Sequence, residues 1–209
     1  MVTRLIWSND RSDPPDLPAG RSPDDGDTLG LAWRTIRAGT KAPDFRLPDQ
    51  RGHRVTLSEL LLRGPVILRF CRNENTATCV REFSSLSALH NDVERLGATL
   101  VVIGVEPFDP HPPDNDAASF PFPILPDKNG VVAQSYGLTY QVPAPRGPEI
   151  NGTDNKPEQP QEIMSAPATF VLDQTGLIAL AFVDVKCRSV MDHGQILMAL
   201  GCLGRRKQS

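Results

Sequence analysis

The sequence predicts an α/β fold with a mixed central sheet and helices on both of its faces. Three observations predict it. The short apolar run 66–70 is followed by an amphipathic helical pattern and then a second apolar run at 98–105, the lengths expected of a parallel strand–helix–strand crossover. Two further apolar runs, 168–172 and 177–183, flank Asp173-Gln174-Thr175-Gly176 and read as an antiparallel hairpin. A last periodic segment at 191–200 closes the fold as a helix.

Taken in order, residues 1–38 hold Pro14, Pro15, Pro18 and Pro23 among aspartates, with few apolar residues after Trp7. Such a segment buries too little to offset its ordering entropy and is expected to be a disordered N-terminal arm. Within it, 29–36 is apolar enough for a short strand or helix, with no docking place fixed by the sequence. The domain is expected over 39–203. Apolar and polar residues alternate from Ala42 to Leu57 about Gly52, as in a small hairpin. Thr56 and Glu59 have the spacing of a capping box and open a short helix through Leu62, which Gly64-Pro65 stops. The run 66–70 suits a central strand by its length and flanks. Val80, Phe83, Leu86, Leu89, Val93 and Leu96 recur three or four apart, so a helix with one apolar face follows and ends at Gly97. Beyond the strand at 98–105, a short strand is expected at 122–125 and a helix at 127–136, closed by Gly137. Five prolines and Asn151-Gly152 mark 141–165 as a long surface loop. Residues 204–209 are expected as a basic tail.

Composition narrows the function. With 209 residues, 39% hydrophobic and 22% charged, the chain can bury one core of ordinary size. The net charge is −3 and the basic residues are scattered, which speaks against a nucleic-acid partner. No apolar run reaches the roughly 18 residues of a membrane span. The N-terminal residues lack a secretory pattern, so a cytoplasmic location is expected. The cysteines are Cys71, Cys79, Cys187 and Cys202; they form no CxxC pair, and the four histidines are dispersed. That spacing predicts free thiols in a reducing compartment, with no metal, no cofactor and no disulfide scaffold.

One of these cysteines has a special position. Cys79 falls in the first turn of the helix that follows the apolar strand 66–70. Unpaired N–H groups and the positive end of the helix dipole favour thiolate over thiol there, and thiolate is the nucleophile. Most cysteines are instead small buried apolar residues, and position alone leaves the two readings level.

The order of elements is that of the thioredoxin fold, and the stretch 70–82, FCRNENTATCVRE, resembles the active-site loop of peroxiredoxins. Their pattern is a proline, three residues, a threonine or serine, two residues, then the peroxide-attacking cysteine, often with a glutamate three further on. In register, Thr76 falls on the threonine, Cys79 on the nucleophile and Glu82 on the glutamate, while Arg72 stands at the proline. Ala42-Pro43-Asp44-Phe45 resembles the family's opening strand and 168–176 its late hairpin. Cys187-Arg188-Ser189-Val190 is similar to the segment that carries the family's active-site arginine, which puts that role on Arg188. The likeness covers about 38–200 and is nearest the peroxiredoxin-like, or AhpC/TSA, branch, where a CxxC often occupies the Thr76 and Cys79 positions.

The resemblance implies a thioredoxin-like three-layer sandwich and a thiol-dependent peroxidase. Its substrate is hydrogen peroxide or an organic hydroperoxide, reduced through a cysteine sulfenic acid. Cys79 attacks the terminal peroxide oxygen. Thr76 donates to the thiolate and the peroxide, unless it serves only as a helix cap. Arg188 holds positive charge against the thiolate, unless it is a solvated arginine after a strand. Glu82 and Arg72 flank the site; Glu82 also suits the helix dipole, and Arg72 adds charge where the proline shields the thiol. The position five after Cys79 is Ser84 and the C-terminal resolving motif of two-cysteine members is missing. A one-cysteine mechanism with an external thiol reductant, of the thioredoxin, glutaredoxin or glutathione type, is therefore expected. Cys187 is the one candidate for an internal resolving thiol; Cys71 is expected to pack and Cys202 to be inert. A homodimer is the family's common state. A second reading keeps the fold and drops the reaction: a catalytically degenerate binding or redox-sensing module. A disulfide reductase is disfavoured by Thr76, because that chemistry needs the CxxC partner.

Overall fold

The computed structural model describes residues 30–31, 33–71, 77–105, 120–143, 161–184 and 191–206, with the backbone alone at 77–81, 143, 161, 205 and 206. The chain opens with a hairpin of β1 (Arg46–Pro48) and β2 (Arg54–Thr56). Then follow α1 (Leu57–Leu61), β3 (Val66–Cys71), α2 (Ala77–Arg95), β4 (Thr99–Val105) and β5 (Ile124–Asp127). A single 3-10 turn, Lys128–Gly130, leads into α3 (Val131–Ser135). The last elements are β6 (Thr139–Pro143), β7 (Gln161–Ser165), β8 (Ala168–Leu172), β9 (Ile178–Val183) and α4 (His193–Arg206). The central sheet runs β5-β4-β3-β8-β9. β3 pairs in parallel with β4 and antiparallel with β8, so the expected mixed sheet is formed.

β3 sits in the middle because all six of its residues are apolar or paired, and all six are buried. Successive side chains alternate between sheet faces. Val66, Leu68 and Phe70 enter one core with α1, α3 and the β6–β7 hairpin. There Phe70, Tyr136 and Phe170 stack at centroid distances of 5.0 to 5.9 Å, and each such buried ring is worth about 1.5–3 kcal/mol. Ile67 and Cys71 enter the opposite core, under Phe83, Leu86, Leu89 and Val93 of α2 and Ile196 and Leu200 of α4. Helices therefore cover both faces, and the sandwich has three layers. α2 ends where the periodicity predicts: Gly97 takes a positive φ of 69° and its N–H reaches the Glu94 carbonyl. Gly64 lies so close to that turn that a Cβ would meet the Gly97 carbonyl oxygen at 2.0 Å.

Several local expectations are corrected. The capping box at Thr56 is not formed: the Thr56 side chain makes no cap bond. The first N–H groups of α1 bond instead to the Phe45 carbonyl, from Leu57, and to Asp44 Oδ1, from Ser58. A tertiary partner thus does what a local cap was expected to do. The strand expected at 122–125 runs at 124–127, and the helix expected from Asp127 begins only at Val131. Asn129 and Gly130 both have positive φ and break the start, and the Asp127 carboxylate caps the helix beyond them by accepting from the Val132 and Ala133 N–H groups. The loop expected over 141–165 has strands at both ends, since β6 and β7 pair from Thr139↔Ser165 to Pro143↔Gln161. The expected arm is docked from residue 30. Leu31 is wholly buried, the Thr35 hydroxyl lies within bonding distance of the Leu31 and Gly137 carbonyls, and Gly137 admits no Cβ because the Arg34 carbonyl oxygen would lie 2.2 Å from it. The basic tail is shortened too, as α4 continues to Arg206. Among the described residues no helix is long and apolar enough to cross a membrane.

Tyr136 lies fully buried at the centre of the first core, and its hydroxyl donates to the Pro43 carbonyl at 2.9 Å. Burial, reinforced by the nearby Asp44 carboxylate, pushes its pKa up. A folded pKa above the unfolded one gives stability that is complete below about pH 10 and is lost as pH rises past it. Tyr136→Phe is expected to cost about 1 kcal/mol at neutral pH through the lost hydrogen bond. It should also flatten the loss of stability above about pH 10. Urea midpoints followed from neutral into alkaline solution check both parts, and an unchanged alkaline slope sinks the assignment.

Candidate active site

The site is built where β3 ends and α2 begins. β3 finishes at Cys71 and α2 starts at Ala77, so Cys79 is the third residue of a 19-residue helix whose first turn carries no acidic residue. The expected backbone setting for a reactive thiol is therefore in place: a helix start directly after a buried strand. Arg72, Thr76, Cys187 and Arg188 lie outside the described residues, as does the side chain of Cys79. Of the predicted site residues, Glu82 is the one whose side chain is placed.

Glu82 turns toward the sheet. Its Oε1 lies 2.5 Å from Arg69 Nε, and the Cys71 thiol donates to the same oxygen at 3.6 Å. Arg69 belongs to β3 on the same face as Ile67 and Cys71, which places its guanidinium between the sheet and α2. Its Nη1 donates to the Thr169 hydroxyl at 3.1 Å, and Thr169 is its register partner across β8. The ion pair is enclosed: the side chains of Arg69 and Glu82 are 3% and 12% exposed. Burial works against charge on Arg69, but the Glu82 carboxylate together with Cys71 and Asp184 outweighs it, and the arginine's pKa is raised. Asp184 follows β9 and is itself buried. His193, at the start of α4, stands 3.3 Å from the Ser85 hydroxyl of α2. It lines a narrow cleft that also reaches Arg69 and Thr169. Cys202 is exposed near the other end of α4.

Cys71 is buried, as expected, but its contact with a carboxylate makes it more than packing. Arg69, Thr169 and Asp184 were missed by reading the sequence. The signal for Arg69 was present: a single charge inside VILRFC, where a buried strand has no place for an unpaired one. Thr169 and Asp184 leave no such mark, because threonine suits strands and aspartate suits strand ends. Among the described residues no group of three or more His, Cys, Asp or Glu is placed to hold a metal ion.

The AhpC/TSA family model matches residues 38–181. Rv1608c of Mycobacterium tuberculosis, whose name assigns it provisionally to the peroxiredoxins, is 31% identical over 126 residues, covering 58% of this chain and 82% of that one. The crystal structure of the peroxidoxin BcpB from Mycobacterium tuberculosis superposes with a TM-score of 0.58 at 25% identity, over 80% of this chain and 98% of that one. A cysteine-to-serine mutant of peroxiredoxin 6 of Arenicola marina shares the fold, with a TM-score of 0.65 at 15% identity, over 83% of this chain and 76% of that one.

Enclosure of the ion pair sets a measurable cost on breaking it. Arg69→Met leaves the Glu82 carboxylate buried without its cation and is expected to destabilise the fold by about 3–5 kcal/mol. Arg69→Met combined with Glu82→Met replaces both charges by apolar groups and is expected to recover most of that loss. Denaturant unfolding of the two variants checks the difference; equal losses in both would show that the pair is not desolvated.

Proposed function

The chain belongs to the AhpC/TSA family and is a thiol peroxidase of the peroxiredoxin type, and we propose that Cys79 is the residue that meets the peroxide. The observation that carries this is the place of Cys79 in the first turn of α2, directly after buried β3. The unpaired N–H groups and dipole of that turn favour the thiolate form.

The reaction follows from that thiolate. The Cys79 sulfur attacks the terminal oxygen of ROOH; an S–O bond forms, the O–O bond breaks, and the departing alkoxide takes up a proton to leave as ROH. Sulfur is oxidised by two electrons to the sulfenic acid while the peroxide is reduced by two. Thr76 supplies a hydroxyl three residues before the nucleophile, suited to hydrogen-bond the thiolate and the attacked oxygen. Arg188 supplies a positive charge for the developing alkoxide, the kind of charge stabilisation that contributes most in such sites. Arg72 stands where the family places a proline and brings a second cation to the loop before Cys79.

The reductive half-reaction uses an external thiol of the thioredoxin, glutaredoxin or glutathione type. Its sulfur attacks Cys79–SOH, water leaves, and a second thiol releases Cys79 from the mixed disulfide. A one-cysteine cycle is supported by the position five after Cys79 being Ser84, where some members carry a resolving cysteine. Cys187 is the internal thiol whose sequence place beside Arg188 keeps it as the alternative resolver.

Cys79→Ser is expected to bring thiol-dependent consumption of hydrogen peroxide down to the protein-free rate, while Cys187→Ser keeps turnover with an external thiol. Trapping of the sulfenic acid with a dimedone-type probe, read peptide by peptide, locates the oxidised sulfur. A wild-type protein that shows no Cys79 sulfenic acid under stoichiometric peroxide would replace the catalytic assignment with the binding or redox-sensing module.

A further inference from the structure

Glu82 creates an electrostatic problem for the reaction assigned to Cys79. It follows Cys79 by three residues on α2, and positions at that spacing share a helix face with Cβ atoms about 5–6 Å apart. A bare carboxylate at that range disfavours a second negative charge. The helix start therefore favours thiolate while a carboxylate one turn below opposes it. Arg69 removes the conflict. Its Nε lies 2.5 Å from Glu82 Oε1, and its Nη1 is held by Thr169 on β8, so the guanidinium is fixed from below on two strands.

We propose that Arg69 is a positioning residue for the reactive thiol: it cancels the charge of Glu82 beneath the first turns of α2 and ties that carboxylate to the sheet, which leaves the thiolate at Cys79 favoured. The inference rests on Cys79 being the reacting residue. Around the pair, the other titratable groups among the described residues are Cys71 on β3, whose thiol donates to Glu82, Asp184 after β9, and His193 at the start of α4. Asp184 also favours the charge on Arg69, so the guanidinium serves two carboxylates, and removing Glu82 leaves it only partly balanced. Buried between these groups and unable to lose its proton, an arginine holds a constant charge across the whole range in which Cys79 titrates.

The test is the pH profile of Cys79 alkylation by iodoacetamide in the full chain, read on the Cys79 peptide by mass spectrometry. It compares wild type, Glu82→Gln, Arg69→Lys and the double variant Arg69→Met with Glu82→Gln. Glu82→Gln leaves the guanidinium in excess and is expected to lower the midpoint by about one pH unit, a tenfold gain in thiolate below it. The double variant, with neither charge, is expected to return close to the wild-type midpoint, and Arg69→Lys, with the charge but not the fork, to stay there. A merely structural Arg69 would change stability without ordering the midpoints in this way. The proposal is overturned if Glu82→Gln leaves the midpoint unmoved or raises it, or if the double variant does not return. Loss of the Cys79 sulfenic acid in wild type, with the alkylation series still ordered as stated, counts against the peroxidase assignment alone.

Discussion

β3 is hydrogen-bonded along both edges and buried on both faces, and the rest of the molecule is arranged by that double constraint. A strand paired to β4 in one direction and β8 in the other cannot slide without breaking two registers at once. Its even-numbered residues belong to one core and its odd-numbered ones to the other, so each layer of helices is fixed to the same six residues. α2 seats Phe83, Leu86, Leu89 and Val93 on that strand. The start of the helix is thereby set relative to Cys71, and the chain has only residues 72–76 in which to turn back. The backbone position of Cys79, two residues inside the helix, is set by that packing.

Within this strand, Arg69 runs against the hydrophobic logic of its neighbours. Ile67 and Cys71, on the same face, are apolar and buried. Burying a charge costs several kcal/mol even when it is paired, and apolar residues of similar volume often give an equal or more stable fold. The pair with Glu82 is therefore poorly explained by stability. It is better explained by what lies one turn above it: Glu82 shares α2 with Cys79, and a guanidinium that is bonded to Thr169 as well as Glu82 cannot be replaced by a flexible surface cation. Aromatic packing of Phe83 with Phe120 and Phe122 surrounds the next position of the helix and keeps water from the same layer.

The layers of the fold were legible in the sequence because each rests on a local pattern. The unbroken apolar run of β3, the three-and-four spacing in α2 and the Asp173–Gly176 turn each name their element without help from elsewhere. In that turn Asp173 Oδ1 accepts from the Thr175 and Leu177 N–H groups. What was not legible depends on distant partners. Thr56 has the sequence of a cap, yet Asp44 across the hairpin takes the helix N–H instead. The β6–β7 pair joins residues far apart in the chain, so the prolines between them hid two strands that no local period announces. Leu31 had no docking place fixed by the sequence because its burial is supplied by a core that includes Val132 and Ala133 of α3, a hundred residues on. The candidate site divides in the same way. Cys79 could be singled out as a candidate from one helix start and a sequence resemblance, whereas Arg69 on β3, Thr169 on β8 and Asp184 after β9 meet only in the folded sheet.

That meeting also separates the thiols by environment. Cys71 and Cys79 are eight residues apart and belong to adjacent elements, yet they stand in opposite relations to Glu82. Cys71 lies inside the sheet–helix layer and gives its proton to the carboxylate as a hydrogen bond. Its burial encloses it away from solvent. Cys79 stands at the helix end where backbone donors collect and no acidic side chain shares the first turn. One carboxylate, paired with one guanidinium, thus lies against the inner thiol and three residues along the same helix from the outer one. Two cysteines on neighbouring elements need not form a redox pair under those conditions, and an external thiol becomes the natural source of electrons.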